Sequence, residues 1–553
     1  MTCKRARNAH VLSVISLLIT IFAIVMALVA PPQLRGGGQL PAKLPVVATS
    51  RDASPPLFLP AVTYDSGGEG PVSVALADVN RDGKPDVVVA NVCANNGCPG
   101  GSVGVLLGNG DGTFQPATTY DSGGTYSYSV AVADVNEDGK PDLVVTNFYS
   151  DTVGVLLGNG NGTFQPVVTY GTAGSGGSNP YSVAVADVNG DGKPDLVVVN
   201  YVMANYLSKT VGVLLGNGDG TFRPAVAYGS GGVIPLSVAI ADVNGDGKPD
   251  LLVANFWASF QNLNGTVGVL LGNGDGTFQS PIAYASGGTG GPNSGGSVAV
   301  ADVNGDGNPD LLVANEGNAS VGVLLGRGDG TFQPVVTYGS GGTGATSVAA
   351  ADVNGDGKLD VLVATSGSTT VGVLLGNGDG TFQPAVTYGS GGLNRASSVG
   401  VGDVNGDASP DVLVGTCGNF SCSIGAVGVL LNNTQVDTTP PVITVSATPN
   451  TLWPPNGKMV PITVSGTITD TGSGVNVNSA AYAVTDEYGE VQPHGAITLG
   501  AGGAYSFSIL LQASRLGSDL DGRRYTVTVG AKDNAGNSGS NASALTVPHD
   551  QGH

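Results

Sequence analysis

The chain has 553 residues, with 42 Asp or Glu against 21 Lys or Arg, and a formal charge of −21 at pH 7. This balance argues against a nucleic-acid partner, because phosphate binding requires clustered Lys and Arg. Between His10 and His494 there is no histidine that could act as a general base or a zinc ligand. These observations exclude most hydrolase mechanisms, and we expect the chain not to be an enzyme.

The chain begins with an apolar segment. Three basic residues precede the uncharged stretch 11–30, which is long enough to span a bilayer. The small residues ending at Ala27 also suit cleavage by a signal peptidase. Because basic residues stay inside, the rest of the chain is sent outside. We predict export, with residues 1–30 as a cleaved signal peptide or a signal anchor, a secreted or surface-anchored product, and a Pro/Gly-rich linker over 31–54.

A repeat occupies the next part of the chain. The phrase "ADVNGDGKPD" and its variants occur seven times, and their first aspartates are 50 to 60 residues apart. Each repeat has four Val-rich runs bounded by Gly, Asn or Pro, which is typical of strands. Seven repeats of four strands predict a seven-bladed β-propeller over residues 55–436, within an all-β fold. An open β-solenoid is the alternative, although its coils are usually shorter.

The seventh repeat is incomplete. It stops at "VGVLLNNTQ" (427–435) and lacks the outer strand, whereas "FLPAVTYDSGG" (58–68) resembles "FQPAVTYGSGG" (382–392). We predict that residues 58–64 pair beside 427–433 and complete blade seven, which removes an exposed sheet edge.

The acidic loop follows the pattern D-x-N-x-D-G-x-x-D. Calcium takes six to eight oxygen ligands, and positions 1, 3, 5 and 9 offer side-chain oxygens while position 7 offers its carbonyl. The alternative is a turn stabilised by Asp and Asn without an ion. However, 21 loop carboxylates would repel one another, and seven Ca²⁺ ions would change the formal charge from −21 to −7. The pattern therefore favours calcium as the cofactor.

The predicted calcium ligands are Asp78, Asn80, Asp82, Lys84, Asp86, Asp134, Asn136, Asp138, Lys140, Asp142, Asp187, Asn189, Asp191, Lys193, Asp195, Asp242, Asn244, Asp246, Lys248, Asp250, Asp302, Asn304, Asp306, Asn308, Asp310, Asp352, Asn354, Asp356, Lys358, Asp360, Asp403, Asn405, Asp407, Ser409 and Asp411.

The phrases "DVNGDGKPDLVVAN" and "GNGDGTF" resemble the FG-GAP or VCBS repeats of secreted and surface bacterial proteins, which are related to the propeller of integrin α chains. The resemblance spans residues 55–436. It implies a calcium-bearing propeller and, in many relatives, surface binding or adhesion. The same repeats also accompany enzymes, so the fold alone leaves the function open.

Four cysteines form two pairs with the same spacing, Cys93 with Cys98 and Cys417 with Cys422. We predict two local disulfides, in agreement with an oxidising location. A zinc site is the alternative, but neither pair has a histidine nearby.

A different β pattern follows the hinge "DTTPP" (437–441). "DTTPPVI" and "AKDNAGN" resemble bacterial immunoglobulin-like or fibronectin-like modules. This resemblance predicts a β-sandwich over 442–548, followed by a tail at 549–553, that serves as a spacer or a secondary adhesive module.

Strand parity predicts that the acidic loops emerge on one face of the propeller and that loops of variable length emerge on the other. In blades two to four the variable loops carry seven aromatic residues, with Trp257 and Tyr206 as the expected anchors: Phe148, Tyr149, Tyr201, Tyr206, Phe256, Trp257 and Phe260. Aromatic side chains on loops suit sugar stacking or protein contact, although they can equally pack between blades.

We therefore expect a monomer that binds a surface glycan or a protein and touches the membrane only through its N-terminal segment. The alternatives are a carbohydrate-active enzyme, such as a polysaccharide lyase or a glycosidase, and a structural envelope protein without a ligand.

Overall fold

The computed structural model describes residues 57–95, 98, 100–173, 179–201, 210–259, 261–288, 296–434, 439–470, 475–490, 492–533 and 536–549. The predicted export segment and linker lie outside these ranges, as do Tyr206 and Phe260. In the described part of the chain, no helix has the length and apolar character needed to cross a bilayer. The helical elements there are three short 3₁₀ turns, at Phe148–Ser150, Val477–Ser479 and Ala501–Gly503.

Seven four-stranded antiparallel sheets form the blades of the propeller. Blades one to four consist of β2 (Glu69–Ala77), β3 (Asp86–Cys93), β4 (Ser102–Leu106) and β5 (Thr118–Asp121); β6 (Ser127–Ala133), β7 (Asp142–Asn147), β8 (Thr152–Leu156) and β9 (Val168–Gly171); β10 (Pro180–Ala186), β11 (Asp195–Asn200), β12 (Thr210–Leu214) and β13 (Val226–Gly229); and β14 (Val233–Ala241), β15 (Asp250–Trp257), β16 (Thr266–Leu270) and β17 (Ile282–Ala285).

Blades five to seven consist of β18 (Val298–Ala301), β19 (Asp310–Asn315), β20 (Ser320–Leu324) and β21 (Val336–Gly339); β22 (Ala345–Ala351), β23 (Asp360–Thr365), β24 (Thr370–Leu374) and β25 (Val386–Gly389); and β26 (Asn394–Gly402), β27 (Asp411–Cys417), β28 (Gly425–Leu430) and β1 (Val62–Asp65). The all-β propeller predicted from the repeats is confirmed.

Blade seven is completed by the start of the described chain. Strand β1 pairs antiparallel with β28, with Val62 opposite Val429, and an isolated bridge joins Phe58 to Asn432. The pairing predicted between residues 58–64 and 427–433 is therefore present. It joins the two ends of the propeller and covers the edge of β28.

The hydrophobic cores lie between blades. The second strand of each blade is buried along its whole length in most repeats, as β7 and β11 show. One core cluster combines Val88 and Val103 of blade one with Leu143 of blade two, and another combines Val89 of blade one with Leu413 of blade seven. Strands that are apolar on both faces need such cover on both sides.

An aromatic pair repeats at every seam between blades. A Tyr of one outer strand meets a Phe of the next blade edge-to-face, with ring centroids 5.3–5.4 Å apart. The seven pairs are Tyr64–Phe114, Tyr120–Phe164, Tyr170–Phe222, Tyr228–Phe278, Tyr284–Phe332, Tyr338–Phe382 and Tyr388–Phe58. Residues 58–65 supply Phe58 and Tyr64, so this segment completes two seams.

The C-terminal part forms two antiparallel sheets. Their strands, in sheet order, are β29 (Val442–Thr448), β30 (Met459–Thr469) and β33 (Ala504–Gln512) in one sheet, and β32 (His494–Ala496), β31 (Ala481–Asp486), β34 (Arg523–Lys532) and β35 (Ser538–Val547) in the other. The sheets share one core that includes Ile462, Leu511 and Leu545, as expected for a sandwich. Arg523 is buried at one end of β34, where it forms ion pairs with Asp486 and Glu490.

Closure of the ring by residues 58–65 predicts that Phe58→Ala strongly destabilises the propeller, because Phe58 is only 2% exposed and packs in the core between blades six and seven. We expect the substitution to lower the free energy of unfolding of the propeller by about 3–5 kcal/mol. The matched control is Leu59→Ala, since Leu59 is 41% exposed. Urea unfolding of both variants measures the difference. Equal stability of the two variants would contradict the role of Phe58 in closure.

Candidate functional site

The acidic loops share one hydrogen-bond pattern that shapes each turn. In all seven loops the first Asp accepts a hydrogen bond from the backbone N–H of position 6, at 2.7–2.8 Å. The Asn at position 3 accepts from the N–H of position 5, and the Asp at position 5 accepts from the N–H of position 7, as Asn244 and Asp246 do in blade four. These bonds hold the loop curved, with positions 1, 3 and 5 at the surface.

The ninth position differs from the other acidic positions. All seven of these aspartates are fully buried: Asp86, Asp142, Asp195, Asp250, Asp310, Asp360 and Asp411. One oxygen of each accepts from the amide at position 2 of its own loop, at 2.9–3.0 Å. The other accepts from the amide that follows the third strand, at 2.6–2.8 Å. Each carboxylate therefore ties the acidic loop to the next turn on the same face.

Burial raises the pKa of these seven carboxyl groups, and the two amide hydrogen bonds oppose the rise. For Asp310, Asp360 and Asp411 the pKa reaches about 6. The acidic side chains of the same loop raise it further through charge repulsion. A cation near the loop would act in the opposite direction.

The loops suit a hard cation in their chemistry. The side chains at positions 1, 3, 5 and 9 can all offer an oxygen atom as a metal ligand, as Ca²⁺ requires. Two N–H donors leave each buried carboxylate with unused lone pairs, so its hydrogen bonds and ion ligation are compatible in number. Yet among the described residues no group of three or more His, Cys, Asp or Glu is arranged to hold a metal ion. The side chains would have to converge when an ion binds, and the predicted ligand set remains a prediction.

Two details distinguish individual loops. Lys140 Nζ lies 2.8 Å from Asp138 Oδ2, so an ion in that loop would compete with this ion pair. Ala408 occupies the position that is Gly in the other loops and has φ of +66°. A left-handed residue with a Cβ costs roughly 1–2 kcal/mol. The loops of blades one and two carry the same kind of cost at their fourth position, where Arg81 and Glu137 have φ of +63° and +59°.

The aromatic residues of the opposite face divide into two groups. Phe148 is only 3% exposed and packs against Tyr128, Tyr149 and Tyr201, with ring centroids 4.7–5.6 Å apart. Tyr149, its neighbour in sequence, is 55% exposed. Phe148 thus has a packing role, whereas Tyr149 presents its ring to solvent.

The second group lies at the end of β15. Phe256 and Trp257 have ring centroids 5.0 Å apart, and Trp257 is half-buried opposite Val233 of β14.

Both predicted disulfides are present, and each closes a loop of the variable face. Cys93 is joined to Cys98 in blade one, and Cys417 to Cys422 in blade seven. The second loop carries Phe420, which is 79% exposed and was not predicted as a site residue. Its position between two paired cysteines of a short loop was the sequence feature that could have indicated an exposed aromatic residue.

The sequence reasoning also missed a pocket at the centre of the ring. Its lining includes Tyr128, Tyr181, Glu316 and Arg395, which come from blades two, three, five and seven. The serine of the recurring "SV" dipeptide lines it in every blade, and that repetition was the visible signal.

The buried carboxylates predict a stability effect for Asp250→Asn. The new amide has one acceptor oxygen, so either the Val243 or the Gly272 N–H loses its partner. A buried donor without a partner costs about 1–3 kcal/mol. Asp275→Asn is the matched control, because Asp275 is an exposed residue of the same blade. Urea unfolding in a chelator compares the two, and equal midpoints would contradict the role assigned to the buried carboxylate.

Comparison with known families agrees with this arrangement. The FG-GAP-like repeat matches residues 91–145, 134–198, 200–253, 256–313, 302–363 and 352–414. The FG-GAP repeat matches residues 70–106. No curated protein matches the chain.

Several solved structures are similar in fold. BBS1N, solved in complex with ARL6DN, is 12% identical, with 69% of this chain and 99% of that chain covered and a TM-score of 0.46. The BP39L lectin of Burkholderia pseudomallei is 14% identical, with 67% and 98% covered and a TM-score of 0.46. The V. cholerae biofilm matrix protein Bap1 is 14% identical, with 66% and 88% covered and a TM-score of 0.36. These similarities carry no information about function. The repeat matches cover more than half of the chain, and the chain belongs to the FG-GAP repeat proteins.

Proposed function

We propose that the chain is an exported, calcium-binding propeller that acts as a binding or adhesion module for a surface glycan or protein. The observation that carries the proposal is the contrast between its faces. One face has seven loops of nearly constant geometry, each tied to its blade by a buried carboxylate. The other has variable loops with exposed aromatic side chains such as Tyr149 and Phe420. Scaffolds of this kind commonly carry their binding residues on variable loops.

Calcium is supported by the charge and the chemistry of the loops. Positions 1, 3, 5 and 9 would hold the ion through side-chain oxygens, and position 7 through its carbonyl. The loops of blades five and seven carry Asn308 and Ser409 where the others have Lys, so they lack even one internal counter-charge. When bound, calcium supplies that counter-charge and ties the loop to the start of the second strand.

Export is supported by the basic and apolar N-terminal segment and by the two disulfides. Disulfides form and persist mainly in oxidising compartments. A secreted protein and one anchored by residues 1–30 are both compatible with these features.

A second candidate function, a polysaccharide lyase, is favoured by one observation. Tyr128, Tyr181, Glu316 and Arg395 gather around one pocket, and such residue types can serve proton abstraction from a sugar acid. However, burial raises the pKa of both tyrosines, which makes them poor bases at neutral pH. We therefore favour binding over catalysis, and ultraviolet absorbance of an unsaturated product from uronate polysaccharides would identify a lyase instead.

Calcium binding predicts a dependence of stability on the free ion, because an ion that binds only the folded state stabilises it by mass action. We expect chelation to lower the melting temperature of the full chain, and titration calorimetry to show calcium uptake. Asp246→Asn should remove one site in blade four. Asp275→Asn, which changes the charge equally on the same face, should leave the stoichiometry unchanged. Absence of calcium uptake together with unchanged melting in chelator would refute calcium binding.

The binding face predicts that the double variant Tyr149→Ala/Trp257→Ala weakens recognition. We expect its glycan-array or cell-binding signal to fall at least tenfold, while calcium uptake and cooperative unfolding are retained. The control is Val168→Ala/Val226→Ala, which trims side chains that are 53% and 54% exposed on outer strands. Full binding by a correctly folded Tyr149/Trp257 variant would exclude these residues as anchors. A chain that binds neither glycans nor cells would favour the structural envelope protein.

A further inference from the structure

A pocket of about 190 Å³ lies at the centre of the ring, and residues near the start of the first strand of each of the seven blades line it. It is separate from the acidic loops, which follow the opposite ends of the same strands. Its lining is mostly polar and combines a ring of serines with four larger groups, Tyr128, Tyr181, Glu316 and Arg395. Neither the predicted calcium ligands nor the predicted aromatic anchors belong to it.

The serine ring presents hydroxyl groups to the pocket. In five of the seven seams, the serine Oγ of one blade accepts a hydrogen bond from the valine N–H of the next blade, at 3.2–3.3 Å. One of these bonds, from Val74 to Ser398, joins blade one to blade seven. Each bond uses a lone pair of the oxygen and leaves the O–H free to donate, since none of these five hydroxyls donates to an acceptor among the described residues. The ring therefore offers several O–H donors around one centre.

The tyrosines form one wall of the pocket. The ring centroids of Tyr128 and Tyr181 are 4.8 Å apart, and that of Phe148 lies 4.7 Å from Tyr128 and 6.2 Å from Tyr181. Burial raises the pKa of both hydroxyl groups, so both stay protonated at neutral pH. This wall offers ring surface and two polar ends, a combination that suits a partly polar ligand.

Arg395 and Glu316 give the lining one charge of each sign. The guanidinium of Arg395 has no ion pair or hydrogen bond with another described residue, which leaves its five donors available. Its backbone has φ of +53°, and the same left-handed position holds Gly70 and Gly344 in blades one and six but Tyr126, Asn179 and Ile234 in blades two to four. The strand accepts glycine and several different side chains at this position, so its backbone does not require arginine.

We propose that this central pocket binds a single neutral sugar residue, such as the end of a glycan chain. Its volume is below the roughly 300–1000 Å³ of sites for drug-sized molecules, which points to one small ring. Hydroxyl donors, an acceptor carboxylate, a guanidinium and tyrosine rings match the hydroxyl groups and the C–H face of a sugar. The balanced charges of Arg395 and Glu316 favour a ligand without net charge. The glycan class rests on the proposed binding function, but the site is different from the aromatic loops.

The test measures binding of D-glucose, D-galactose, D-mannose and N-acetylglucosamine to the full chain by titration calorimetry, with D-glucuronate and D-galacturonate as acidic counterparts. We expect at least one neutral sugar to bind. Arg395→Gly should weaken that binding at least tenfold, while the melting temperature stays equal or rises, because glycine suits the left-handed backbone. Tyr181→Phe should weaken binding while keeping the ring. Arg223→Ala, in an exposed position outside the pocket lining, should change nothing.

The outcomes separate this proposal from the proposed function. Absence of sugar binding, binding of uronates only, or full affinity in both Arg395→Gly and Tyr181→Phe would overturn the pocket proposal, even if the protein still binds glycans or cells through Tyr149 and Trp257. Conversely, sugar binding that depends on Arg395 in a chain that adheres to no surface would support the pocket and refute the adhesion function.

Discussion

The inner strands of each blade are apolar on both faces, and the rest of the propeller depends on covering them. Strand β7, for example, is buried at every residue from Asp142 to Asn147. A single blade cannot provide that cover, so each core cluster combines residues of two neighbouring blades. An open row of blades would leave one such strand surface exposed at each end. The ring closes because residues 58–65 supply the outer strand of blade seven, including Phe58 and Tyr64.

The buried aspartates connect this packing to the acidic face. A carboxylate in the interior is unfavourable unless it is hydrogen-bonded, and each of the seven accepts two backbone amides. These bonds hold the loop and the following turn in one arrangement in every blade. The pKa of Asp310 stays raised, so the two amide hydrogen bonds offset only part of the cost of burying the charged carboxylate. A bound cation would offset the rest, which links the stability of the propeller to the calcium that we propose.

The loops of the two faces differ in how much they vary for the same reason. A change in the geometry of an acidic loop would break the hydrogen bonds between its amides and the buried carboxylate. Variation in loop length and sequence is therefore found on the opposite face. There, neighbouring residues have different roles, since Phe148 packs between blades while Tyr149 is exposed. The centre of the ring is a third environment, where one side chain from each of several blades meets the others. Binding chemistry is therefore available on the variable face and in the central pocket.

Much of the fold was readable from the sequence, because the repeats, the missing strand of blade seven and the paired cysteines are patterns of letters close together or repeated at a fixed period. The acidic loops were readable for the same reason. Only the tertiary structure decided that the ninth-position Asp is buried, because the amide after the third strand becomes its neighbour only in the folded blade. Likewise, Tyr181 and Arg395 are more than 200 residues apart, and only closure of the ring brings them to one pocket. No local pattern carries such a contact, since it depends on how seven separate strands converge.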